Sequence, residues 1–111
     1  MEKYVTSIKE LVTHALTNGS EIKAKAESGD ALACFQMGMI HLLGIDTPID
    51  FKKASKYLGN QSLSDDSDAN RILGFIAECE GNYSLAFKHY ANATGTTGRN
   101  IKKPYINKVF Y

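Results

Sequence analysis

Three histidines, two cysteines and one acidic cluster are the groups in this chain that could do chemistry. His14, His41 and His89 could each carry a proton near neutral pH. None has a carboxylate or a cysteine at a spacing that would build a local acid–base pair. Cys34 and Cys79 form neither a Cys-x-x-Cys motif nor a zinc pattern, and two cysteines do not make a disulfide framework. Both fall in apolar helical stretches and read as buried free thiols. Asp65, Asp66 and Asp68 could gather oxygen ligands, but calcium needs more of them, regularly placed. Asp68 reads instead as a helix cap, with its neighbours facing the positive end of the same helix. Thr94-Gly95-Thr96-Thr97-Gly98 lacks the Gly-Lys-Ser/Thr ending of a phosphate loop. The expectation is a protein with no catalytic residue, no cofactor and no metal.

Charge narrows the partners. A net charge of +1 over 111 residues supplies no field for a nucleic acid. The distribution is uneven: Arg99, Lys102, Lys103 and Lys108 stand without an acid, so this tail carries +4 and residues 1–98 carry −3. The tail reads as a solvated terminus, with contact to an acidic partner as the alternative. No run is long and apolar enough for a signal peptide or a membrane span. The expected location is the cytoplasm, away from membranes.

The elements that must position these groups are helices. Val5, Ile8, Leu11, Val12, Ala15 and Leu16 follow the helical period, and Asn18-Gly19 should stop that helix. A short helix follows from Ser20 to Ser28. Gly29-Asp30 then stops one helix and starts another, over Ala31 to Leu43. Pro48 breaks the chain because it lacks the amide a helix interior needs. Asp50 caps a fourth helix reaching about Gln61, Asp68 opens a fifth to Glu80, and a sixth covers Tyr83 to Ala93. Pro104 could start a last one, with Ile106, Val109 and Phe110 on one face. Nothing alternates as a half-buried strand would. The fold class is all-α, with six to seven helices.

A repeat organises them. Ala33 and Ala69 lie 36 residues apart, as do Met37 and Leu73, and Gly38 and Gly74. In the following helices Ala54 and Ala86 lie 32 apart, as do Leu58 and Tyr90. Glycine inside a helix costs about 0.5–1 kcal/mol against alanine. Two such costs at one repeat position imply a shared need, and close approach of two helix backbones would supply it, with Ala54 and Ala86 as small residues opposite.

These residues carry a family resemblance. Ala33-x3-Met37-Gly38-x2-His41-x2-Gly44, then Asp50, Lys53-Ala54 and Tyr57-Leu58, resembles the Sel-1-like repeat, a relative of the tetratricopeptide repeat. Ala26 to Ala31 resembles the join from a preceding unit. In the second unit Ala69, Leu73-Gly74, Gly81, Ala86 and Tyr90 match. His41 stands where the family has Tyr, and Ala77 replaces the aromatic of the second unit. The resemblance covers residues 22–93. It implies a right-handed superhelix of antiparallel helix pairs: an N-terminal pair over 1–28, one repeat over 29–64, a second over 65–93, and a loop with a C-terminal cap over 94–111.

The resemblance also implies a function. First helices of such repeats line a concave groove that holds a peptide or helix of another protein. Helical spacing puts Phe35, Met39 and Leu42 on one stripe, and Arg71, Phe75 and Glu78 on its counterpart. The first three read more readily as core, and Arg71 with Glu78 equally as a solvated ion pair. The leading expectation is a protein-interaction adaptor. One alternative is a structural module that forms a homo-oligomer through its apolar ends. The other is a hydrolase, as in cysteine-rich relatives; one Cys per unit, at non-equivalent positions, argues against it.

Overall fold

The structure, a computed structural model, describes residues 8–94. The helix expected from Pro104, the C-terminal cap and the start of the first segment at Val5 lie outside the described residues. Five α-helices and one 3-10 turn make up the described chain: α1 (Ile8–Glu27), α2 (Ala31–Leu43), α3 (Phe51–Leu58), the turn Gln61–Leu63, α4 (Ser67–Cys79) and α5 (Tyr83–Thr94). Among the described residues there is no strand. No helix among them is long and apolar enough to cross a membrane. The chain divides into two compact units between Ser64 and Asp65.

In the first unit, α1 and α3 each pack on α2. The Asn18-Gly19 pair does not end the first helix, contrary to expectation. Asn18 leaves helical geometry (φ −130°, ψ 27°) but helix resumes directly, giving one kinked element of 20 residues. The left-handed turn expected of this pair does not form: neither Asn18 nor Gly19 lies in that region. The chain therefore bends instead of breaking.

α2 begins where Asp30 Oδ2 accepts from the Ala33 amide at 2.9 Å. It ends at Gly44, whose φ of 70° turns its amide back to the Ile40 carbonyl. A Cβ there would lie 2.8 Å from Ile49 Cγ1, so the position needs glycine twice over. Asp50 caps α3 through the Lys53 amide at 3.0 Å. That helix buries Ala54, Tyr57 and Leu58, the i, i+3, i+4 face of an amphipathic segment. It is shorter than expected: Gly59 closes it, and Asn60 Oδ1 accepts from the Ser62 amide at 2.9 Å to start the 3-10 turn.

In the second unit α4 packs on α5. Asp66, not Asp68, is the α4 cap, with Oδ2 accepting from the Ala69 amide at 2.8 Å. The side chain that reaches a helix's first free amides sits one residue before it. Asp68 already lies inside the helix, buried within its first turn. After α4, Gly81 takes φ 79° and Asn82 Oδ1 accepts from the Leu85 amide at 3.2 Å, so the chain reverses into α5.

The glycines of the repeat face a common feature. A Cβ on Gly38 would meet Leu58, with Cδ2 at 2.8 Å. A Cβ on Gly74 would meet the Tyr90 ring, with Cε1 at 2.7 Å. Each glycine is a socket for a side chain of the next helix. The approach is therefore side chain to backbone rather than backbone to backbone, and Leu58 and Tyr90 are the residues that occupy it.

Candidate functional site

α2 turns the stripe proposed as a groove into core. Phe35, Met39 and Leu42 are 2%, 4% and 5% exposed. Nine of the 13 residues of α2 are buried, on every side of the helix. A helix apolar all round is buried all round, and these three side chains are closed to a partner.

α4 differs. Ile72 and Ile76 are buried, whereas Arg71 and Phe75 are half-buried and Glu78 is exposed. These three succeed one another at i, i+4 and i+7, on one helical stripe. Glu78 is not set as half of an ion pair with Arg71 alone. Its Oε1 accepts a hydrogen bond from Tyr90 Oη at 2.8 Å, so α5 fixes the carboxylate. The same Tyr90 ring fills the socket of Gly74. The Gly74–Tyr90 contact thus joins the helix pair to one end of the surface stripe. The stripe offers a guanidinium, an aromatic face and an anchored carboxylate within three helical turns.

The histidines have separate surroundings. His41 is 8% exposed and stacks flat on Tyr57, with ring centroids 5.8 Å apart and planes 2° from parallel. Burial first, then Lys53 and Lys23, hold its pKa below the ordinary value, against the opposing pull of Asp50. Its Nδ1 is buried without a hydrogen-bond partner, as is that of His89. His89 is lowered by burial and by Lys88. His41 thus packs as an aromatic ring against a tyrosine.

The thiols also part. Cys34 is fully buried, and its S–H donates to the Ala26 carbonyl at 3.3 Å. Burial raises its pKa, the opposite of a thiolate nucleophile. Cys79 is exposed, contrary to the expectation of two buried thiols. As the last residue of α4 it lies beyond the buried face that ends at Ala77. Among the described residues no group of three His, Cys, Asp or Glu side chains is placed to hold a metal.

One feature had no sequence signal. A cavity of about 240 Å³ opens between α1 and the start of α2, beside the Asn18 kink. Its lining includes His14, Glu21, Ile22, Lys25, Leu32 and Gln36. Lys25 and Glu21 meet at 3.7 Å on its wall, both largely solvated. The cavity lies beside a helix bend that periodicity does not reveal.

No family model, no curated protein and no solved structure matches this chain.

Proposed function

We propose that the protein is an interaction module that holds a peptide or helix of another protein on the Arg71–Phe75–Glu78 stripe of α4. The observation that carries the reading is this stripe itself. It combines a half-buried aromatic and cation with a carboxylate fixed by Tyr90, on a helix whose opposite face is core. Aromatic and arginine side chains are the groups that dominate binding energy at protein interfaces. Their placement on a helix, rather than on a loop, spares the entropy of ordering them on contact.

In this reading the helix pairs belong to a right-handed superhelix of Sel-1-like type, and α4 lines its inner face. The repeat spacing and the paired sockets Gly38–Leu58 and Gly74–Tyr90 support it. The partner segment is complementary: an acidic group for Arg71, an apolar side chain for Phe75 and a donor for Glu78.

The test compares wild type with Arg71→Glu/Phe75→Ala. Proteins captured by each from source lysate are identified, and the captured segment is then titrated as a purified peptide. At least a tenfold weaker affinity, about 1.4 kcal/mol, with unchanged circular dichroism, is the expected result. Equal affinity for both proteins removes α4 from the interface.

A further inference from the structure

The cavity beside the Asn18 kink brings charged, polar and apolar groups of the first unit around one open space. Its volume of about 240 Å³ equals that of about eight molecules of liquid water. That is below the size of a drug-like ligand site and suits a molecule of roughly ten heavy atoms.

Two helices build it. Gly29, with φ 96°, turns the chain from α1 into α2, so the two run antiparallel. Ile22 of α1 and Ala33 of α2 are buried and form its apolar floor. Leu32 stands on the lining at 42% exposed, an aliphatic side chain left in contact with water. An apolar group laid between Leu32 and that floor would leave water on two sides.

Charge lines the rest. Glu21 and Lys25 stand one turn apart on α1, and their charged ends meet at 3.7 Å. At that distance, with both side chains largely in water, the pair is weakly held. Each charge stays available to a ligand group of opposite sign. Asp30 adds a second carboxylate to the lining. Its Oδ2 accepts from the Ala33 amide, which fixes the group in place. The Asn18 and Gln36 amides, which both donate and accept, line the cavity away from the Gly29 turn.

Both signs of charge within one helical turn, over an apolar floor, match a ligand that carries both signs on one carbon beside an apolar branch. We propose that this cavity binds a free α-amino acid with an aliphatic side chain. Glu21 and Asp30 receive its ammonium group, Lys25 its carboxylate, and Ile22, Leu32 and Ala33 its side chain. A simple amine leaves Lys25 unused. A residue inside a peptide brings the side chain without either charge. The site is independent of the partner assigned to α4.

An NMR titration of the full chain with L-leucine tests the proposal. Amide shifts should move and saturate over residues 18–25 and 30–36, with a Kd on the order of 0.1–1 mM. Amides of α5 should stay still. Glu21→Gln and Lys25→Gln change exposed side chains, so both should keep the circular dichroism of wild type. Each should bind leucine about tenfold more weakly. N-acetyl-leucine lacks the ammonium charge and leucinamide lacks the carboxylate. Wild type should bind either about tenfold more weakly than leucine. No saturating shift with leucine up to about 10 mM overturns the proposal. So does leucine binding that both variants leave unchanged. Leucinamide bound as tightly as leucine makes this a site for simple amines, and N-acetyl-leucinamide bound as tightly makes it a pocket for another protein's side chain; either result also overturns it.

Discussion

Gly38 and Gly74 each face a side chain of the following helix, yet they should answer differently to the same substitution. Alanine gains about 0.5–1 kcal/mol over glycine in a helix interior. At Gly38 the added methyl meets Leu58, which is 1% exposed and has nowhere to go. Overpacking of that kind costs about 1–3 kcal/mol. Gly38→Ala should therefore lower the melting temperature. At Gly74 the methyl meets a half-buried Tyr90 ring that can swing outward. Gly74→Ala should be close to neutral, and should release Glu78 from its hydrogen bond. Thermal unfolding of the two variants checks both; a rise for Gly38→Ala would remove the socket as the reason for its glycine. His41 supplies a second residue-level test. Its folded pKa lies below the ordinary 6.5, so the unfolded chain takes up a proton first as pH falls. The stability it contributes is complete above 6.5 and is lost as pH falls from there through the folded value. Denaturant midpoints should drop as pH falls below 6.5. His41→Tyr keeps an aromatic over Tyr57 and should reduce that drop, leaving the part due to His89. An unchanged slope would dissociate His41 from the titration.

At the scale of elements, the helices most readable in sequence were those with two chemical ends. α2 has an aspartate before it and a left-handed glycine after it, and its expected bounds hold. α5 holds to within a residue for the same kind of reason, between Asn82 and a Gly-rich stretch. The misreadings came where one residue type serves two geometries. Asn-Gly can turn left-handed and end a helix, or stay right-handed and bend it; only packing along α1 decides, and sequence spacing does not report packing. Three aspartates within four residues could each cap α4, and the choice rests on which one lies just outside the first turn. The bend in α1 makes a prediction of its own. Gly19 avoids the left-handed region, and a Cβ there meets nothing within 4 Å. Gly19→Ala should raise stability by about 0.5–1 kcal/mol. A loss in a denaturant titration would show that the bend requires glycine.

At the scale of the molecule, the all-helical character of the described residues was legible and the candidate site was legible only in part. The stripe Phe35–Met39–Leu42 and the stripe Arg71–Phe75–Glu78 have the same spacing. Spacing assigns residues to a face but does not say what covers it, and the first stripe is covered. The cysteines show the same limit, because both helices that carry them looked apolar. The difference can be counted in solution. One thiol, Cys79, should react promptly with a thiol reagent in the native protein, and the second, Cys34, only after unfolding. Two prompt thiols would mean that α2 is not closed against its neighbours. The rate at which Cys34 becomes reactive would then measure opening of the first unit.

The two sockets bear on the order in which the chain acquires its shape. Leu58 follows Gly38 by 20 residues and Tyr90 follows Gly74 by 16, so each contact closes a short loop. Short loops cost little entropy to close, and chains rich in them fold fast. During synthesis Leu58 emerges 32 residues ahead of Tyr90, a delay on the order of seconds. Helix pairs form in microseconds to milliseconds. The first pair has therefore met its glycine long before the second exists, and the N-terminal half never waits for the C-terminal half to find its register.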